Sequence, residues 1–183
     1  MCIKCKFMFA CSNGMFDMVK KLLQHVDINH KNRNNQTGMM LASYKGYSDI
    51  VEFLLEKKGD FTSTDNSNNN TMTLACRNGH LQCVKLLYRY NSKFWSDRNG
   101  HRTMLLAIKS GNFKLVKFLI QNGVPLDYSF IKSETPLMVA SKLGNFSIVN
   151  LLVRKGADRN VKLRGKTAAD ISSSIDIRTY LNN

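Results

Sequence analysis

Cys2 and Cys5 form a C-x-x-C at the start of the chain, the spacing at which two thiolates make half of a zinc site. Two further ligands would be needed. The nearest histidines, His25 and His30, are predicted to fall on the far side of the first helix pair. No nucleophile, base and acid recur in a catalytic pattern, and neither a G-x-x-x-x-G-K-[ST] phosphate loop nor an H-E-x-x-H zinc helix is present. The sequence therefore predicts no enzyme, no catalytic group, no metal and no cofactor. What remains is charge: 27 basic against 13 acidic residues give a formal net charge of +14, which favours an acidic protein, a nucleic acid or anionic headgroups. The same excess follows from translation of an AT-rich coding sequence, since the chain is rich in Asn and Lys and poor in Pro.

The elements that must carry these charges are set by five glycines. Gly14, Gly46, Gly79, Gly111 and Gly144 are spaced by 32, 33, 32 and 33 residues. Five residues after each comes a valine: Val19, Val51, Val84, Val116 and Val149. Positions two, four, five and eight after the glycine form one apolar stripe at helical spacing. Four residues before each glycine stands an alanine, at 10, 42, 75, 107 and 140, small enough for two helices to approach closely. The pattern predicts a short helix, a left-handed glycine turn and a second helix in every repeat. One such pair cannot bury its own apolar face, so neighbours must stack into a solenoid. Cys11, Cys76 and Cys83 occupy positions held by Ser43, Ile108 and Ser141, or by Ile50, Leu115 and Ile148, in other repeats, and are predicted to be core.

The chain resembles the ankyrin-repeat family at these positions. The fifth repeat carries the resemblance best, with Thr135-Pro136-Leu137-Met138-Val139-Ala140, Gly144, Ile148-Val149, Leu151-Leu152 and Gly156-Ala157-Asp158. Thr37-Gly38 opens the second repeat, while Asn70 and Arg102 stand at the threonine position of the third and fourth. Asp65 and Asp97-Arg98-Asn99-Gly100 match the finger opening, and Thr167-Ala168-Ala169-Asp170 resembles a shortened last repeat. The resemblance implies an all-α solenoid of helix-turn-helix repeats with β-turn fingers. It forms a single array over 1–183, divided near 1–30, 31–63, 64–96, 97–129, 130–161 and 162–183, with the end repeats as caps. The histidine of the family motif is replaced by Met8, Met40, Thr73, Leu105 and Met138, so its hydrogen bond to the neighbouring turn is lost. The third repeat is expected to open first. His80, after its glycine, is expected to have a structural role, and His101 is expected to be exposed on a finger.

The resemblance also places the binding positions: the finger tips and the two residues of helix one just before the turn glycine. Carried over, they put Tyr44 and Lys45, Arg77 and Asn78, Lys109, and Lys142 on helix one, and Arg33, Arg98, His101, Lys132, Arg164 and Lys166 on fingers. Of 25 such positions nine are basic and one, Glu134, is acidic, so the groove is expected to be basic with Tyr44 as its aromatic anchor. The other acids have structural places: Asp17 and Asp49 begin second helices, where the dipole favours a carboxylate.

These readings point to a binding module that takes an acidic segment or surface of a protein partner. Nucleic-acid binding along the same ridge is the alternative, weakened by the scarcity of aromatics for base stacking. An adaptor or effector that recruits or sequesters a host protein is a third. No degradation-linking box is expected after the repeats, so an adaptor would be expected to use the array itself. The protein is expected to be a cytoplasmic monomer, with nuclear entry open to it, or host-cytosolic if its source is a pathogen or virus. No membrane insertion is expected, because the apolar run from Phe7 to Cys11 is too short for a signal segment.

Overall fold

A computed structural model describes residues 2–90, 98–127 and 134–183. They fall into two compact units, Met1–Ser92 and Lys93–Asn183. The N-terminal unit contains α1 (Ile3–Ser12), α2 (Phe16–Leu23), α3 (Gly38–Lys45), α4 (Ser48–Glu56), α5 (Thr71–Arg77) and α6 (Leu81–Tyr90). The C-terminal unit contains α7 (Arg98–Lys109), α8 (Phe113–Gln121), α9 (Pro136–Lys142), α10 (Phe146–Arg154) and α11 (Ile175–Asn182).

The helices pair as the glycine register predicts. In the N-terminal unit the first helices α1, α3 and α5 form one layer and the second helices α2, α4 and α6 the other. All five register valines and all five alanines are buried. The five glycines between the paired helices have φ between 70° and 86°. At Gly46 the left-handed turn lets its N–H reach the carbonyl of Ala42 at the end of α3. A side chain there would be impossible without movement, because a Cβ would lie 2.5 Å from the His80 ring. His80 holds that place by donating from Nε2 to the Tyr44 carbonyl, 3.0 Å away. Its role is structural, as its position after Gly79 implied.

Each first helix needs an N-cap, and the degraded repeats supply one by other means. Thr37 and Thr135 accept from the N–H of Met40 and Met138. In the third repeat, Asn70 accepts from the Thr73 N–H at 2.9 Å while the Thr73 hydroxyl accepts from the Asn70 N–H at 2.9 Å, a reciprocal capping box. The pair that looks like two departures from the family pattern is one exchange of hydrogen bonds.

Connections after the second helices also repeat. The Asp60 N–H donates to Asn29 Oδ1 at 2.8 Å in the N-terminal unit, and the Asp158 N–H to Asp127 Oδ1 at 3.0 Å in the C-terminal one. Both lie 31 residues apart in sequence, so one loop props the next.

The fourth repeat departs from expectation. The segment from Arg98 to His101 is not a finger but the first turn of α7, which at twelve residues is longer than α3, α5 or α9. His101 is buried, at 3% exposure, and not exposed on a loop. The reason is register: His101, Met104 and Ile108 fall at i, i+3 and i+7 on one helix stripe, and all three are buried. Burial holds the His101 imidazole below its ordinary pKa, favouring the neutral ring.

Candidate binding groove

Two fingers of the N-terminal unit are built alike. Asn32 Oδ1 accepts from the N–H groups of Asn34 and Gln36, and 33 residues later Asp65 Oδ1 accepts from those of Ser67 and Asn69, all between 2.8 and 2.9 Å. Asn35 and Asn68 take the left-handed residue of each turn, at φ near 60°, which asparagine tolerates better than most residues. The fingers are linked: the Asn66 N–H donates to the Asn34 carbonyl at 3.1 Å. Burial would raise the Asp65 carboxyl, but hydrogen bonds from Asn69 and Ser67 and the charge of Arg77 outweigh it and hold the group below the usual carboxylate range.

Between these fingers and helices α3 and α5 lies a cleft of about 400 Å³. Leu41 and Leu74 are its apolar floor, Tyr44 and Lys45 stand on one side, and Arg77 and Asn69 on the other. Three of the sequence-predicted residues, Tyr44, Lys45 and Arg77, thus share one site. Tyr44 is 42% exposed, with the Lys45 ammonium 5.7 Å from its ring centre. The Arg77 guanidinium donates to Asn69 Oδ1 at 2.9 Å, so its position is fixed before any partner arrives. Leu41 and Leu74 were not among the predicted site residues. Their signal was available, since they too are 33 residues apart and stand three residues before Tyr44 and Arg77.

A second cleft, of about 550 Å³, lies in the C-terminal unit between Glu134, Leu163, Arg164, Lys166 and Ile171. Leu163 and Lys166 pair across a two-residue turn in which Arg164 and Gly165 both have positive φ, 52° and 80°. This last finger presents Arg164 and Lys166 to solvent. The single acid of the predicted groove is not free here: Glu134 accepts from Lys142 Nζ at 2.9 Å. Lys109 is exposed at the end of α7.

The other predicted residues are distributed as follows. Arg33 is exposed at a finger tip, and Asn78 caps α5 by donating from Nδ2 to the Leu74 carbonyl at 3.0 Å. His101 belongs to the core. Lys132 lies outside the described residues, and of Arg98 only the backbone at the start of α7 is described. Lys45, Arg77, Lys109 and Lys142 each end a first helix, where a cation also offsets the negative end of the helix dipole. Among the described residues no group of three His, Cys, Asp or Glu could hold a metal, and Cys11, Cys76 and Cys83 are buried, with the Cys11 thiol pushed up to about 12 by burial. Cys2 and Cys5 are exposed, and the Cys2 sulfur caps α1 by accepting from the Cys5 N–H at 3.2 Å.

Residues 7–98 and 90–163 match the family model for ankyrin repeats in three copies. The chain is an ankyrin-repeat protein. Its fold is the all-helical ankyrin solenoid. The human ASB11 ankyrin repeat domain superposes with a TM-score of 0.64 at 19% identity, covering 96% of each chain. A chain of the Bdellovibrio bacteriovorus predatory endopeptidase Bd0816 in complex with immunity protein Bd3460 superposes with a TM-score of 0.84 at 23% identity, covering 97% of this chain and 96% of that one. Among curated proteins, the ankyrin repeat and KH domain-containing protein mask-1 of Caenorhabditis elegans is 35% identical over 44% of this chain, and the probable E3 ubiquitin-protein ligase XBOS33 of Oryza sativa subsp. japonica 33% identical over 43%. These matches span only 3% and 16% of the relatives' lengths. Ankyrin repeats are protein–protein interaction modules, generally without enzymatic activity. No helix among the described residues is long and apolar enough to cross a membrane.

Proposed function

We propose that this ankyrin-repeat protein binds an acidic segment of a partner protein along the finger and first-helix face of each unit, acting as a cytoplasmic monomer without catalysis. The observation that carries the reading is the cleft of the N-terminal unit. An aromatic ring and two leucines offer an apolar anchor point, flanked by Lys45 and by an Arg77 already oriented by Asn69. An arginine held in place loses less freedom on meeting a carboxylate than a free one. In the C-terminal unit Arg164, Lys166 and Lys109 extend the same sign of charge, and Glu134 is engaged by Lys142. The Bdellovibrio neighbour comes from a two-protein complex, which is in keeping with a binding role for the fold.

The test is capture of partners from lysate by the native chain, by Tyr44→Ala, and by a Lys45→Glu, Lys109→Glu, Arg164→Glu variant. The same protein should be lost by both variants. Retention of that protein by both would sink the reading. Nucleic-acid binding along the ridge would instead survive Tyr44→Ala and weaken linearly with the logarithm of salt concentration.

A further inference from the structure

The second-helix faces of the two units begin from similar sequence and end in different states. Phe16 opens α2, and Phe113 and Phe146 open α8 and α10, each two residues after its turn glycine. In the N-terminal unit the Phe16 ring meets Phe53 edge-on at 5.6 Å, Lys20 lies 4.2 Å over Phe16, and Asp17, Asp49, Glu52 and Glu56 stand on α2 and α4. That face also has open clefts, of about 400 and 450 Å³, but Asp49, Glu52 and Glu56 wall the first, and Lys20 and Lys57 lie over the face's own rings. In the C-terminal unit Phe113 and Phe146 are 40% and 43% exposed and flank an open cleft of about 260 Å³ with Leu151, Asn150 and Arg154. Helices α8 and α10 carry Lys114, Lys117 and Arg154 and no carboxylate.

We propose that this outer face of α8 and α10 is a second docking surface, which takes an acidic protein segment through an aromatic side chain seated between Phe113 and Phe146. The cleft is preorganised on one side. Phe146 rests against Tyr180 with ring centres 5.4 Å apart, and the Tyr180 hydroxyl, donating to Asn150 Oδ1 at 3.1 Å, fixes the asparagine in the cleft wall. A seated ring would add aromatic contacts on two sides, and carboxylates flanking it would meet Lys114, Lys117 and Arg154. The concavity favours a protein over an anionic bilayer, because a flat headgroup plane would touch the phenylalanine edges and leave the recess empty. This surface is distinct from the finger-side groove, so the chain would engage two segments at once.

The experiment uses the whole isotope-labelled chain and three short labelled peptides: one glutamate-rich with a single central phenylalanine, one with that phenylalanine replaced by alanine, and one with lysine for every glutamate. Only the first should shift the amide signals of Phe113, Ser147 and Asn150, and affinity for this face is read from those signals. Affinity should fall by about tenfold or more in Phe146→Ser and in the Lys114→Glu, Arg154→Glu variant, and stay unchanged in Lys45→Glu. The charge variant alters exposed residues only, so it decides the matter if Phe146→Ser does not fold. Equal shifts of Phe113, Ser147 and Asn150 by the alanine peptide, or shifts confined to Tyr44, Arg77 and their neighbours, would overturn the proposal without touching the groove reading. Failure of the first peptide to bind would overturn it as well, and so would phenylalanine-dependent sedimentation with phosphatidylcholine–phosphatidylserine vesicles in place of peptide binding.

Discussion

The N-terminal unit covers two of its turn glycines, Gly14 and Gly46, and the C-terminal unit leaves Gly111 open, although both are built from the same register. Gly14 and Gly46 lie under the rings of Tyr47 and His80, the residues one repeat further on. At Gly111 a Cβ would meet nothing within 4 Å. Charge is divided unevenly as well: residues 1–92 hold twelve basic and seven acidic side chains, residues 93–183 fifteen and six. One repeat pattern thus yields a unit whose side chains reach across repeats to cover turn glycines, and a unit with the larger cationic excess.

The sharpest test of this difference is valine at the two glycines. Gly46→Val combines a left-handed backbone with a clash against the anchored His80 ring and should cost about 3 kcal/mol, whereas Gly111→Val carries the backbone penalty alone, about 1 kcal/mol. Urea denaturation of each variant measures both, and equal losses would show that the ring contact is unimportant. Next in size is Asn70→Ala, which removes the capping box of α5 and should cost about 1 kcal/mol, while Asn70→Ser restores most of it. Residue-resolved hydrogen exchange should localise that loss to α5. If instead α5 opens first in the unmutated chain, the box does not offset the departures of the third repeat.

Acidification should separate the units. His101 has a folded-state pKa lowered below 6.5 by burial, so below that pH the unfolded chain takes up a proton that the folded one resists. Stability of the C-terminal unit should therefore fall as pH drops from 6.5 through the folded-state value, and His101→Leu should flatten this dependence. In the N-terminal unit burial would raise Asp60, but hydrogen bonds from Ser63 and Thr62 hold its carboxyl at about 2. Its contribution is present above 3.8 and lost only as pH falls through about 2. Exchange rates followed from pH 7 to 4 should rise first in α7. The smallest effect is expected from Lys142→Gln, since its bridge to Glu134 is largely exposed, and the shift in the urea midpoint should correspond to under about 0.5 kcal/mol.

Much of the fold was legible because the signals are local and repeated. A valine five residues after a glycine, five times in register, fixes which helix face is apolar, and the glycine fixes the turn. The candidate groove was legible in part through the ankyrin resemblance, which placed Tyr44, Lys45 and Arg77 at positions that line one cleft. What escaped was anything decided by a partner from elsewhere in the chain. Arg102 at the threonine position left the fourth repeat without a visible cap, so the extension of α7 back to Arg98 could not be anticipated, and His101 was assigned to solvent.

The sequence by itself determined the repeat, the two-helix unit, the buried stripe and the sign of the surface charge, because each follows from spacing within about one repeat length. Only the tertiary structure decided which charges are available. Arg77 is tied to Asn69, Lys142 to Glu134, Phe16 packs on Phe53 and Phe146 on Tyr180, while Phe113 and Phe146 keep 40% and 43% of their surface exposed. The physical reason is that helical periodicity sets the direction in which a side chain leaves its helix, whereas its partner comes from a finger or a neighbouring repeat whose distance only packing can fix.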